Sequence, residues 1–248
     1  MTNTEMLSLL NRIAPFEYAE SWDNSGMIID SGSSYDKVLI ALDLTENVIE
    51  EAVGSGCGAV VCHHPAIFGG IKSIRWTDPV YKAVKAGLSV FAAHTNFDAT
   101  DGGVNDVLAS LLGLKDTVFM GDCRDGRIGT VAPCSAADMA ETVKKALRLP
   151  FVELADAGRE VTKVCVIGGS GGSFAGEVSR LGCDLLVTGE CKHSDALLAL
   201  SIGLSVIAAG HFETENPSMS ALRDLLSAGA PDCEFILSSS SYAPFERI

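Results

Sequence analysis

The amino-acid sequence predicts an α/β protein made of duplicated βαβ-type lobes, in which mostly parallel sheets are covered by helices. Short apolar runs alternate with amphipathic segments along the whole chain, which is the pattern of strands and their covering helices. The same order of segments recurs in the second half. With 248 residues, the chain is long enough for two modest domains. We expect a first lobe over residues 1–124 and a second over residues 125–248.

Each element follows from a local pattern. Thr2-x-x-Glu5 is a capping-box pattern and predicts the start of the first helix. Strands are predicted where a short apolar run is bounded by turn residues, at 26–29, 37–42, 59–62, 89–93, 128–131, 161–167, 184–187 and 205–209. Helices are predicted where apolar residues recur at helical spacing, at 46–54, 79–86, 104–112, 136–147, 174–181, 194–201 and 217–228.

An internal repeat relates the two halves of the chain. A shift of 126 residues aligns Lys37-Val38 with Lys163-Val164. Farther along, a shift of 116 residues aligns Gly87–Ala93 with Gly203–Ala209, because the first half has a longer loop around Pro65–Ile74. Two ordered matches with one insertion indicate a duplication. The period is too long for a solenoid, whose repeats span roughly 20–50 residues.

The composition argues against several classes of protein. The chain has a net charge of −14, whereas nucleic-acid-binding proteins usually carry clusters of basic residues. The N-terminal segment is acidic and amphipathic, and the chain has neither a signal-peptide pattern nor an apolar run of membrane-spanning length. The eight cysteines include no Cys-x-x-Cys pair. We therefore expect a cytoplasmic protein with reduced thiols, no membrane association and no nucleic-acid partner.

Histidines mark the candidate site. Ligands of open α/β sheets gather at the carboxyl ends of the strands. Asp98 follows His94 by four residues, and Glu215 follows His211 by the same interval, and both pairs come after equivalent strands of the repeat. Imidazole and carboxylate ligands without thiolates suit Mn, Fe or Zn in a catalytic type of site. Of the five histidines in the chain, four lie at or just past the end of an apolar run: His63, His64, His94 and His211.

The number of candidate ligands predicts two metal ions. His63, His64, Asp98, His211 and Glu215 exceed the roughly three protein ligands of one catalytic zinc. They suit two divalent ions in a cleft between the lobes, with Glu215 as the bridge, and such a pair can activate a hydroxide. The metal stays open among Zn, Mn, Fe, Co and Ni. The alternative interpretation is structural: the adjacent histidines bond loop backbone, and the two acids favour helix N-termini.

Three further residues are candidates for the same site. His94 is a candidate catalytic residue because it can orient a ligand or the substrate. Glu190 is a second candidate, because the repeat aligns it with His64. His193 either contributes to substrate binding or caps a helix, and the sequence leaves both interpretations open.

Two turns have a structural and a functional interpretation. The segment Trp22, Asp23 and Asn24 either folds back with a partly buried tryptophan or lies over the mouth of the site as a substrate-binding element. The glycine-rich segment Gly168–Ser173 either forms a tight strand-to-helix turn or presents backbone N–H groups to an anion. It lacks the Lys and Ser/Thr of a phosphate-binding loop, which favours the tight turn.

These residues together resemble the NIF-three-like dinuclear-metal family, whose members carry the label GTP cyclohydrolase I type-two homologue. The resemblance implies a divalent dimetal site at the five ligands above and a ring-shaped homohexamer with sites facing an internal cavity. It adds Asn96 to the candidates for substrate binding. The shared pieces are Trp22-Asp23-Asn24-x-Gly26, Asp43-Leu44-Thr45, His63-His64-Pro65, His94-Thr95-Asn96-x-Asp98, Thr188-Gly189-Glu190 and Gly210-His211-x-x-Thr214-Glu215.

Two functional hypotheses follow. The first is a metal-dependent hydrolase that acts on a C–N or phosphoester centre, with a nucleotide-like small molecule as the substrate that the resemblance implies. The second is a non-enzymatic metal-binding regulatory, scaffold or metal-carrier protein. Metal analysis combined with a turnover screen separates the two.

Overall fold

A computed structural model describes residues 1–121 and 124–245. The described residues form two compact units, one of Met1–Gly103 with Met219–Tyr242 and one of Val104–Ser218 with residues 243–245. This division differs from the single boundary at residue 124 that the sequence suggested. The C-terminal helix and strand return to the first unit because that strand pairs with Lys37–Ala41. The helix after Gly103 instead packs against strands of the second unit.

The elements have the following bounds. The strands are β1 (Gly26–Ile29), β2 (Lys37–Ala41), β3 (Ala59–Cys62), β4 (Ser89–Ala92), β5 (Lys115–Phe119), β6 (Arg127–Cys134), β7 (Glu153–Ala155), β8 (Val161–Ile167), β9 (Leu185–Thr188), β10 (Ser205–Ala208) and β11 (Glu234–Leu237). The helices are α1 (Asn3–Ile13), α2 (Glu46–Gly54), α3 (Pro79–Lys85), α4 (Thr95–Asp98), α5 (Val104–Leu111), α6 (Ala136–Leu147), α7 (Ala175–Arg180), α8 (His193–Ser201), α9 (His211–Glu215) and α10 (Ser218–Gly229).

The first unit is built on a five-stranded sheet in the order β1-β4-β3-β2-β11. Strands β4, β3, β2 and β11 are parallel, and β1 is antiparallel to β4. Every residue of β3 and β4 is buried, as expected for strands covered on both faces. Helix α1 begins with the predicted capping box, in which the Thr2 hydroxyl accepts from the Glu5 backbone and the Glu5 carboxylate accepts from the Thr2 backbone.

The second unit is built on a six-stranded sheet in the order β5-β6-β8-β9-β10-β7. Its centre, β8-β9-β10, is parallel, whereas the outer pairings are antiparallel. Alternate residues of β8 join two different apolar clusters: Val164 and Val166 pack in one, Cys165 and Ile167 in the other. Because successive strand residues point to opposite faces, both faces of this sheet are covered.

The strand registers of the two units agree with the repeat. Val38 lies opposite Ala59 in the first sheet, and a shift of 126 residues carries this pair onto Val164 and Leu185, which lie opposite each other in the second. The repeat also places a short helix after equivalent strands: α4 follows β4 in the first unit, and α9 follows β10 in the second. The α/β class predicted from the sequence is confirmed, with helices covering both sheets.

Several elements were absent from the sequence prediction. Strand β5 is mostly exposed and β7 has three residues, so neither has an apolar run that periodicity could detect. Strand β11 pairs at the edge of the first sheet, far along the chain from its partner β2. Each described cysteine is a free thiol, and Cys123 lies outside the described residues. Over residues 1–121 and 124–245, every helix is too short or too polar to cross a bilayer.

Candidate metal centre

The ends of β3 and β4 bring three histidines of the first unit together. His63 and His64 follow β3, and His94 follows β4, its parallel neighbour. One ring nitrogen from each of the three lies within 4.8 Å of those of the other two. The ring centroid of His63 is 5.0 Å from that of His64 and 5.1 Å from that of His94. This convergence is the one that parallel strands impose on residues at their carboxyl ends.

His63 is held in one orientation. Its side chain is fully buried, and Nδ1 lies 2.8 Å from the Ala93 carbonyl oxygen. A carbonyl oxygen only accepts hydrogen bonds, so Nδ1 carries the proton and Nε2 carries the lone pair. Nε2 lies 3.6 Å from Oδ1 of Asp98, which ends α4. An imidazole lone pair and a carboxylate therefore face each other beside the histidine cluster.

Two carboxylates orient the other histidines of this unit. Nδ1 of His64 lies 2.7 Å from Oδ1 of Asp43, and Nδ1 of His94 lies 2.8 Å from Oδ1 of Asp23. Each carboxylate accepts a hydrogen bond from Nδ1–H, which leaves the lone pair of the neutral ring on Nε2 of both histidines. Asp43 entered the sequence analysis only as part of the family pattern. Its position just past the end of β2, which pairs with the strand that precedes His64, could have identified Asp43 as a candidate from the sequence.

Asp23 is the most tightly held of these acids. Its side chain has 0% exposure. Burial raises its pKa, but hydrogen bonds from His94, Thr95 and Ser25 outweigh burial and hold the pKa well below the usual range for an aspartate. Asp23, a candidate for substrate binding, therefore lies behind His94 as a buried anchor. Asn96 is also fully buried, with Nδ2 donating to the Ala14 carbonyl at 2.7 Å.

The second unit carries a matching pair at the end of β10. His211 opens α9 and Glu215 closes it, so the two side chains share one face of this short helix. His211 Nε2 lies 3.1 Å from Oε2 of Glu215, which is 4% exposed. His211 Nδ1 lies 3.3 Å from Oε2 of Glu190. Hydrogen bonds from Ser170 and His211 lower the pKa of Glu190 against the opposing effect of burial.

The glycine-rich turn supports these residues. Its N–H groups donate within the unit: Gly168 to Asn105 Oδ1, Gly169 to Thr214 Oγ1, Gly171 to Thr188 Oγ1 and Gly172 to the Glu190 carbonyl. Because these donors already have protein acceptors, the structure favours the tight turn over the anion site. Gly169 has φ +61°, and a Cβ there would overlap Oε1 of Glu215 and lie 3.1 Å from Nε2 of His211. The absence of a side chain at this position makes room for the histidine–carboxylate pair.

The remaining candidates lie at the surface of their units. Trp22 is 57% exposed, and its ring centroid is 6.1 Å from that of His94. Phe68, which the sequence analysis did not select, is 54% exposed and 5.6 Å from His94. Asn24 bridges from its turn to the loop of Phe68. His193 is the exposed first residue of α8.

The sequence matches the model of the family described as Duf34/NIF3 (NGG1p interacting factor 3) over residues 1–244. A GTP cyclohydrolase 1 type 2 homolog of Clostridium perfringens is 29% identical, with 100% of both chains aligned. Protein NIF3 homolog of Schizosaccharomyces pombe is 32% identical over 87% of this chain and 86% of its own. Hypothetical protein SA1388 of Staphylococcus aureus superposes with a TM-score of 0.92 at 26% identity, covering 100% of this chain and 99% of its own.

Proposed function

Because this chain belongs to the Duf34/NIF3 family, we propose that it binds two divalent metal ions through His63, His64, Asp98, His211 and Glu215. The proposal treats the donors of the two units as one ligand set, as the sequence repeat suggested. It is supported by the local geometry within each unit, where imidazole nitrogens and carboxylate oxygens are grouped and held in fixed orientations.

One observation carries the proposal: an oxygen acceptor lies close to Nδ1 of every histidine that follows β3, β4 or β10. A metal-binding histidine almost always donates its second ring N–H to a carboxylate or a backbone carbonyl, which fixes the tautomer and aims the other nitrogen at the ion. The acceptors are the Ala93 carbonyl for His63, Asp43 for His64, Asp23 for His94 and Glu190 for His211. Histidines that served only to bond loop backbone would not need this shared arrangement.

The donor set also limits the kind of metal. Nitrogen and oxygen ligands accept Zn, Mn, Fe, Co or Ni, and the supply in the cell decides among them. Cys62 adjoins His63, but its side chain is buried and burial raises the pKa of the thiol well above its ordinary value. Cys62 packs in the apolar cluster of the first sheet, so the proposed ligands remain imidazole and carboxylate.

We propose that the site serves a hydrolase. Two bound ions would supply Lewis acidity and an activated water for attack on a C–N or phosphoester centre. The protein's own part is to hold the ligands rigid: Asp43 and Glu190 fix the rings of His64 and His211, and Asp23 fixes His94. Relatives named GTP cyclohydrolase 1 type 2 homolog motivate a nucleotide-like substrate.

We also propose that the chain assembles into a homohexamer, as the family resemblance implies. Light scattering of the purified protein measures the size of this assembly.

The competing function is metal binding without turnover. The description of the family as an interacting factor favours this second candidate, a regulatory, scaffold or metal-carrier role. Turnover separates the two. The metal-loaded protein is assayed against nucleotides and phosphoesters beside Glu215→Gln, and hydrolysis no faster than in that variant would favour the non-enzymatic role.

Metal content tests the ligand assignment directly. We expect purified protein loaded with Mn or Zn to hold about two ions per chain, and His64→Ala and Glu215→Gln to lose metal while circular dichroism stays unchanged. His193→Ala is the matched control, because it removes an exposed histidine outside the ligand set. Full metal occupancy in Glu215→Gln would refute the assignment of Glu215.

A further inference from the structure

Two exposed aromatic rings lie beside the histidine cluster of the first unit. Trp22 is 57% exposed and Phe68 is 54% exposed, yet their ring centroids are only 5.6 Å apart, with the planes inclined by 33°. Both rings also approach His94, at 6.1 Å from Trp22 and 5.6 Å from Phe68. Scattered apolar residues on a surface are ordinary, but two large rings in contact with each other and with the histidine cluster form a defined surface.

The backbone that carries these rings is fixed on both sides. On the tryptophan side, the neighbouring Asp23 is buried and accepts hydrogen bonds from Thr95 Oγ1 at 2.6 Å and from His94 Nδ1. On the phenylalanine side, Nδ2 of Asn24 donates to the carbonyl of Ile67 at 2.6 Å. That bond joins the turn of Trp22 to the loop of Phe68. The two rings are thus held in position although more than half of each remains open to solvent.

We propose that Trp22 and Phe68 form a stacking platform for a planar heteroaromatic ring, the part of a nucleoside-type ligand that lies beside His94. This inference rests on the proposed function for the nature of the ligand and gives that ligand a binding site for its base. Aromatic side chains bind every nucleobase through its π-face, so such a platform suits a flat ring rather than one particular base. The fixed backbone lowers the ordering cost of binding.

The surroundings favour a ring over a charged group. The platform adjoins the carboxylate of Asp23, which follows Trp22 in the chain and bonds His94, and the chain has a net charge of −14. A phosphate alone would be repelled here, whereas a neutral base gains stacking contact without meeting a charge of its own sign. The base therefore binds the rings, and the platform does not depend on the metal ions.

The chain offers a clean optical test, because it contains two tryptophans, Trp22 and Trp76. In a Trp76→Phe background, all tryptophan fluorescence reports on the platform. We expect guanosine 5′-monophosphate to quench this emission in a saturable way, with or without a chelator present. Ribose 5-phosphate, which has the same sugar and phosphate without the base, is expected to leave it unchanged. Equal quenching by both probes, or none by the nucleotide, would overturn the platform.

Affinity measured by equilibrium dialysis supplies the variant test. Trp22→Ala and Phe68→Ala should each weaken binding of guanosine 5′-monophosphate about 5- to 150-fold, the range of one aromatic–base stack. Trp76→Ala is the matched control, since Trp76 is 75% exposed and has no place in the platform. Unchanged affinity in Trp22→Ala refutes the inference. Metal content of the same samples reports separately on the proposed metal site, so either proposal can fail alone.

Discussion

Replacing Gly169 by alanine tests whether the glycine-rich turn exists to seat the histidine–carboxylate pair. Gly169 has φ +61°, a left-handed conformation that costs a residue with a Cβ about 1–2 kcal/mol. The new Cβ would also overlap Oε1 of Glu215 and lie 3.2 Å from its Cδ. Glu215 is buried, so the carboxylate must shift within a packed environment. Crowding of that kind costs about 1–3 kcal/mol.

The two costs together predict that Gly169→Ala lowers the free energy of unfolding by about 2–5 kcal/mol. Because the displaced group is a proposed ligand, metal affinity should also fall, by about the 10–100-fold known for changes around a metal site. Urea unfolding of metal-free protein gives the first quantity, and a competitive chelator titration gives the second.

Two matched glycine variants separate the causes. Gly158 has φ +71°, and a Cβ added there would meet nothing within 4 Å, so Gly158→Ala carries the backbone strain alone. Gly176 lies in α7 with the same open space and no positive φ, so Gly176→Ala should be neutral or stabilising by about 0.5–1 kcal/mol. If Gly169→Ala loses no more stability than Gly158→Ala and keeps its metal affinity, the reasoning about Glu215 is refuted.

Two further predictions concern carboxylates of the first unit. Asp43→Asn should weaken metal binding about 10–100-fold, because an amide oxygen accepts the hydrogen bond from His64 Nδ1–H less strongly than a carboxylate does. Asp36→Asn, at the other end of β2, is the control in the same chelator titration. Equal metal affinities of the Asp43→Asn and Asp36→Asn variants would contradict an orienting role for Asp43. Burial raises the pKa of Glu51, but hydrogen bonds from Ser238, Ser239 and Ser240 outweigh it and lower the pKa to about 2. A lowered folded-state pKa means that the stabilisation is present above pH 4.5, the ordinary value, and is lost as the pH falls toward 2. The wild-type protein should have a higher free energy of unfolding than Glu51→Gln, and urea unfolding at each pH should show this difference shrinking across that interval. Glu50→Gln is the control. A difference that does not depend on pH would contradict the stabilising role of the Glu51 carboxylate.

Much of the fold could be predicted from local patterns. The apolar runs of β3 and β8 and the capping box of α1 each depend on residues close in sequence, so periodicity and composition reveal them. Grouping of the histidines at the ends of β3 and β4 followed from a general property of parallel strands. Strand β11 escaped prediction because its position depends on pairing with β2, almost two hundred residues earlier in the chain.

What the sequence by itself determined is the α/β class, the repeat and the types of side chain available for a metal, because these depend on residue chemistry and short-range spacing. Only the tertiary structure decided which acceptor stands behind each histidine and what the glycine-rich turn does. His94 meets Asp23 across 71 residues of chain, and Asn24 meets the backbone beside Phe68 across 43. Contacts over such separations arise from the packing of whole elements, which no local pattern encodes.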